Sequence, residues 1–298
     1  MPLKQGSTVA LVTPYHPDGN IDFPALETLL NYHVESQTDG LCILGTTGEA
    51  SLLIMEERKA ILDCAVKIVK GKIPMMVGTG SIDPNAVKEM TQQAIDCGCD
   101  ASLVVSPPYI KPPQRGLVNH FLTMADLGLP VVIYNVPGRT AVDVLPETIG
   151  LCAGHEHIVA VKEATGDLSR VAAIRAATSD LEIPLLLYSG DDDSEAEFVL
   201  QGGDGCISVT ANVAAASMHE MMMACLAGDR EKAMDINAKL SGIHNTIFCE
   251  SNPIPAKWAL KRMGMINSAF CRPPLMEMDP KFNMAVEEVL KTAGVWKF

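Results

Sequence analysis

Lys162 closes the apolar run Ile158-Val159-Ala160-Val161-Lys162. Side chains alternate along a strand, so Ile158, Ala160 and Lys162 share one face, and an amine on an inward face is taken out of water. A free lysine amine of pKa ~10.4 is deprotonated about once in 2,500 molecules at pH 7, roughly 4.6 kcal/mol against its nucleophilic form. Desolvation and nearby positive charge remove much of that, which suits such a lysine to imine formation with a carbonyl substrate. The plainer alternative is a lysine that pairs with the adjacent Glu163 or reaches out to solvent. Tyr134 closes a second run in VVIYNVPGRT, on one face with Val132. Its phenol suits proton transfer during carbinolamine formation and dehydration, or else it is a core tyrosine bonded to backbone. Arg139, five residues on, offers a fixed guanidinium for a carboxylate. Gly45-Thr46-Thr47-Gly48-Glu49 sets two hydroxyls in a turn whose glycines admit close backbone approach. It lacks the terminal Gly-Lys-Ser/Thr of a phosphate loop.

These residues need elements that bring them together. Eight short apolar runs recur along the chain: Val9–Thr13, Leu41–Leu44, Ile73–Val77, Ala101–Ser106, Pro130–Tyr134, Ile158–Lys162, Pro184–Ser189 and Gly205–Thr210. Rich in Val, Ile and Leu without polar alternation, they read as parallel strands covered on both faces. Helical stretches separate them, with Asp83-Pro84 as an N-cap followed by proline at the first helical position. The acid-rich Asp191-Asp192-Asp193 reads as capping of the helix after the seventh strand, and His155 and His157 as solvated loop residues. Eight β–α repeats specify a closed (β/α)8 TIM barrel, and no G-x-G-x-x-G follows the first strand to favour a dinucleotide-binding sheet. Three helices then follow, in GDREKAMDINAKLSGIHNTIF, NPIPAKWALKRMG and FNMAVEEVLKTAG. The expected organisation is a catalytic barrel over residues 1–228 and a small C-terminal helical domain over 229–298. In a barrel of this kind the site lies at the carboxyl ends of the strands, where Lys162 and Tyr134 stand.

Composition narrows the partners. With 23 Lys+Arg against 36 Asp+Glu in 298 residues, the formal charge of −13 gives no attraction to nucleic acid or to an anionic membrane surface. No stretch approaches the ~18 apolar residues of a membrane span, and the amino-terminal residues enter a strand pattern rather than a targeting segment. The nine cysteines are an odd number, mostly inside apolar runs, which points to a reducing, cytoplasmic setting. The C-x-C pair Cys97 and Cys99 has no second pair at zinc spacing.

Taken in order, GTTGE at Gly45–Glu49, YNVPGRT at Tyr134–Thr140, VKEATGD at Val161–Asp167, SGDD at Ser189–Asp192, GCISVTANVA at Gly205–Ala214 and NPIPAKWA in the helical segment resemble the dihydrodipicolinate synthase family over essentially the whole chain. The resemblance implies condensation of pyruvate with L-aspartate 4-semialdehyde, without metal or organic cofactor, through an imine on Lys162. It implies a proton relay of Thr46, Tyr134 and Tyr109, the last reaching into a neighbouring subunit's site within a homotetramer built as a dimer of dimers. It also implies that Thr47 holds the pyruvate carboxylate and Arg139 that of the semialdehyde, with the backbone of Gly190 and Ile207 lining the pocket. Lysine-inhibited members bind lysine at the dimer interface through histidines after GTTGE, an acid and an asparagine after GTG, and a tyrosine before the relay tyrosine. Here those places hold Met55 and Arg58, Ala86 and Ile82, and Pro108. Weak or absent inhibition by lysine is therefore expected, with Asp83 or Glu89 left as substitute acids. Two other readings stay open: another pyruvate-imine aldolase, such as N-acetylneuraminate lyase or a keto-deoxy sugar acid aldolase, and a barrel that binds ligands without catalysis.

Overall fold

The computed structural model describes residues 1–296. Eight parallel strands among them close a barrel in sequence order: β1 (Gly6–Ala10), β2 (Gly40–Ile43), β3 (Met75–Gly78), β4 (Ala101–Val105), β5 (Val131–Asn135), β6 (Ile158–Glu163), β7 (Leu186–Ser189) and β8 (Gly205–Ser208). The ring shuts where Gly6 to Val9 of β1 pair with Gly205 to Ser208 of β8. The (β/α)8 expectation is met, and each expected run falls on a strand.

The first strand lies three residues earlier than Val9–Thr13. Ser7 and Thr8 are buried in the sheet, and their polarity hides the strand's start in the sequence. Past Leu11, whose N–H still donates to Cys42 O of β2, the chain leaves the ladder: Val12 N–H donates to the Asn212 side chain, 3.1 Å away, instead of to a strand. β7 likewise starts at Leu186 rather than Pro184, because proline brings no N–H to a ladder.

The helices are α1 (Phe23–Glu35), α2 (Met55–Val69), α3 (Pro84–Cys97), α4 (Gln114–Ala125), α5 (Pro137–Thr140), α6 (Pro146–Ala153), α7 (Ser169–Ala177), α8 (Glu195–Leu200), α9 (Ala211–Leu226), α10 (Arg230–Thr246), α11 (Ile254–Arg262) and α12 (Asn283–Thr292). α3 begins as its sequence demands, with the Asp83 carboxylate accepting from Asn85 N–H. It ends on Gly98 at φ 78°, and Val87, Thr91 and Ala94 form its buried stripe. Apolar side chains fill two compartments. One lies between strands and helices and runs without a break into α10–α12 through Leu240, Ile243, Leu260 and Val286. The other fills the barrel interior, where Met76, Leu103, Val132, Tyr188 and Ile207 form the floor beneath the strand ends.

Two buried imidazoles set an acid limit on this fold. Burial pushes the His33 ring down to about 3 and the His120 ring down to about 4. Both are neutral in the folded chain, whereas the unfolded chain takes up protons below its ordinary value near 6.5. Their contribution is intact above pH 6.5 and is lost as pH falls toward those lower values. Between pH 6.5 and 5 the expected loss is about 2 kcal/mol for each ring. Urea unfolding at pH 7 and pH 5 measures it, and equal stabilities would contradict neutral burial.

Candidate active site

Lys162 is the penultimate residue of β6, with its side chain pointing into the barrel, 6% exposed. In register it faces Tyr134 on β5 and Tyr188 on β7. Its Nζ stands 4.6 Å from the centroid of the Tyr134 ring, and among the described residues it forms no ion pair and no hydrogen bond. A buried amine left unpaired is costly as a charge and available as a nucleophile. The glycine of SGDD makes room for it: a Cβ on Gly190 would lie 2.6 Å from Lys162 Cε. The neighbouring Cys42 thiol is pushed up to about 11 by burial, so it stays protonated.

Glu163 does not serve as the lysine's partner. It alternates to the outer face, where Arg170 donates to it from Nε and Nη2, Asn135 Nδ2 lies 3.0 Å away, and Thr165 N–H donates as well. Arg170 also pairs with Asp143. The network fastens the ends of β5 and β6 to each other and leaves Lys162 to the cavity.

That cavity, about 200 Å³, opens at the carboxyl ends of the strands and is lined by Lys162, Tyr134, Arg139, Thr46, Thr47 and Gly190, with Asp191, Val209, Phe248 and Asn252 completing its wall. Arg139 projects from the one-turn helix α5, which Pro137 starts by fixing the first φ. Thr46 is at the exposed rim and Thr47 is buried.

The threonine loop is held in a strained form from behind. Leu44 and Glu49 both adopt positive φ, 54° and 55°, which costs a side-chain-bearing residue about 1–3 kcal/mol. Glu49 is fixed by Lys257 of α11, whose Nζ donates to Oε1 at 2.6 Å, and by Arg272 N–H on Oε2 at 2.8 Å. The Tyr15 ring lies between the two cations, 4.1 Å from Lys257 Nζ and 4.7 Å from Arg272. Asn252 Nδ2 donates to Thr47 Oγ1 at 2.9 Å, so the Thr47 hydroxyl hydrogen is directed elsewhere and is free to donate to a ligand.

Tyr109, expected to reach a neighbouring subunit's site, is 86% exposed, with φ 73°, and does not line its own chain's cavity. Two other expected placements differ. Ile207 is buried in the interior layer below, and Val209, two residues on along the same face, takes the wall position. Asp192 does not cap α8. Its carboxylate accepts from Ser208 Oγ and from the N–H groups of Val209 and Thr210, tying β7's loop to the start of α9. Asp191 takes the local role instead, bonding Ser194 through its hydroxyl at 2.6 Å. Asn252, Phe248 and the Lys257–Glu49 pair are site residues that the sequence does not announce: Asn252 and Lys257 fall in NPIPAK, Glu49 closes GTTGE, and Phe248 ends the helical stretch before them.

A closed barrel with an unpaired buried lysine and an arginine around one strand-end cavity defines a (β/α)8 protein built to hold a small anionic molecule against an amine. The chain belongs to the dihydrodipicolinate synthetase family, which matches residues 3–293. It is 45% identical over 291 residues to the 4-hydroxy-tetrahydrodipicolinate synthase of Dichelobacter nodosus, covering 97% of each chain. It is 46% identical over 292 residues to that of Methylococcus capsulatus, covering 98% of this chain and 99% of the relative. A chloride-inhibited dihydrodipicolinate synthase from Acinetobacter baumannii, solved with pyruvate, superposes with a TM-score of 0.94 at 42% identity, covering 98% and 99% of the two chains.

Proposed function

We propose that this chain is a 4-hydroxy-tetrahydrodipicolinate synthase that condenses pyruvate with L-aspartate 4-semialdehyde. The observation that carries the reading is the unpaired, buried Lys162 amine beside the Tyr134 ring in a cavity that also holds Arg139. The amine adds to the pyruvate ketone and water leaves, giving an imine. Loss of a methyl proton gives the enamine, whose carbon attacks the aldehyde. The amino group of the second substrate then adds to the imine carbon, closing the ring and releasing Lys162. Tyr134 and Thr46 carry protons through these steps, and Thr47 donates its hydroxyl to the pyruvate carboxylate. Tyr109, exposed on one protomer, completes the relay in the next, within a cytoplasmic homotetramer; the nine free cysteines support a reducing compartment.

Arg139 is assigned to the semialdehyde carboxylate because it stands at the mouth and Lys162 at the floor. Arg139→Ala is expected to raise the KM for the semialdehyde at least about tenfold, the scale of a lost charged contact, with a smaller change for pyruvate. Equal rises in the two constants would remove the assignment. A coupled assay with pyruvate and L-aspartate 4-semialdehyde tests the activity itself. Turnover of N-acetylneuraminate or a keto-deoxy sugar acid, with no consumption of the semialdehyde, would overturn it.

Lysine is a weak inhibitor or none. The cavity of about 570 Å³ beside the threonine loop is lined by Met55, Arg58, Ile82, Ala86 and Pro108, with the exposed Glu89 its one carboxylate. Arg58 is fully buried there and donates to Gly78 O at 2.7 Å, so a lysine ammonium meets a cation instead of a matched acid. Half-inhibition at sub-millimolar lysine would contradict this.

A further inference from the structure

Among the described residues five carboxylates are buried: Asp22, Glu49, Glu163, Asp192 and Glu195. Four have hydrogen-bond donors. Asp22 accepts from Ala25 N–H and Asn267, Glu49 from Lys257, Glu163 from Arg170, and Asp192 from Ser208, Val209 and Thr210. Glu195 is the exception. It opens α8 at 1% exposure, and neither Oε1 nor Oε2 has a nitrogen or oxygen partner; its polar neighbour is the weakly donating thiol of buried Cys206. Two other side chains converge on it. Asp192 comes from the β7–α8 loop and His244 from α10, and the three donor atoms lie within 4.8 Å of one another. His244 is 1% exposed as well; its Nδ1 is bonded to Thr210 Oγ1 at 2.9 Å, and its Nε2 has no partner. No lysine or arginine among the described residues pairs with any of the three.

We propose that Asp192, Glu195 and His244 form a binding site for one divalent transition-metal ion of the Zn²⁺ or Mn²⁺ type. A proton on Glu195 would remove its charge and could be donated to His244 Nε2 or to Asp192, but it would satisfy only one of them; a cation takes Nε2 and offsets both carboxylates at once. A donor triangle of this size reaches bonds of ~2.0–2.2 Å by side-chain shifts of under about an ångström. Imidazole beside carboxylates suits Zn²⁺ or Mn²⁺ better than Mg²⁺ or Ca²⁺, which take all-oxygen shells. The outer shell is already built: Thr210 orients the ring, and the three donors on Asp192 fix that carboxylate. The ion would clamp α10 to the loop that carries Gly190 and Asp191 into the cavity wall. It takes no part in the imine chemistry, so the proposal stands apart from the catalytic reading.

Because the site is closed, the ion is supplied while the chain folds. The full-length protein is produced in medium supplemented with Zn²⁺ or Mn²⁺, dialysed, and its metal content measured, with Glu195→Gln and His244→Gln in parallel. About one ion per chain is expected in the unsubstituted protein and less than about a tenth in either variant, the Mn²⁺ arm discounting uptake by thiols. EDTA is expected to lower the melting temperature of the unsubstituted protein by several degrees and to leave a folded variant unmoved. Should one variant fail to fold, the other carries the comparison. Absence of either ion at stoichiometric level would overturn the proposal, as would equal metal content in a folded variant or a melting temperature indifferent to EDTA.

Discussion

Lys162→Ala is expected to lower condensation activity at least about a thousandfold, the scale on which loss of a covalent nucleophile acts. The fold should survive: the side chain has no ion pair or hydrogen bond to lose, and alanine leaves a small void that opens onto the cavity above. Circular dichroism and thermal unfolding on the same sample separate the two readouts. A variant that retains more than about a tenth of the activity would mean that the amine is not the nucleophile. Tyr134 stands over the same Nζ but does not bond covalently to substrate, so Tyr134→Phe is expected to lose less, ~10²–10⁴-fold.

The second large effect is expected far from the reacting atoms. Lys257→Met removes the only cation that pairs with the buried Glu49 among the described residues and keeps most of the volume of a side chain that is 0% exposed. Breaking a buried ion pair on one side costs about 3–5 kcal/mol, since the remaining charge is left in a poor solvent. For a chain of this size that corresponds to a melting temperature lower by roughly 6–10 °C. Lys257→Met combined with Glu49→Gln is expected to recover part of the loss, because no unpaired charge then remains. The strained loop that carries Thr46 and Thr47 loses its main fastening in the single variant, so the KM for pyruvate should rise with it. A single-variant penalty of less than about 1 kcal/mol, the value of an exposed pair, would show that the pair does not hold the loop.

These two residues mark where the sequence is legible and where it is not. Lys162 and Tyr134 can be read locally, because each ends an apolar run and strand alternation alone decides which way it points. The barrel is legible for the same reason, through recurrent short runs that need cover on both faces. Its first strand was displaced because Ser7 and Thr8 are polar yet buried, a choice set by tertiary packing that no hydropathy pattern displays. Lys257 and Asn252 meet Glu49 and Thr47 across more than 200 residues of chain, and nothing near either partner announces the meeting. Asp192 looked like a cap for the helix beside it, since acids near helix starts usually are. It serves a neighbouring loop instead, 16 to 18 residues away, a link that only the closed barrel creates. Tyr109 differs again: it is exposed on this chain, and strand alternation says nothing of a loop tyrosine.

The most direct test of the account is reductive trapping. The protein is incubated with pyruvate, reduced with borohydride, digested, and the peptides read by mass spectrometry. The account predicts one added three-carbon carboxylate unit, on Lys162 and on no other lysine. An unmodified Lys162 in protein that still condenses pyruvate with the semialdehyde, or a trapped adduct on a different lysine, would contradict it.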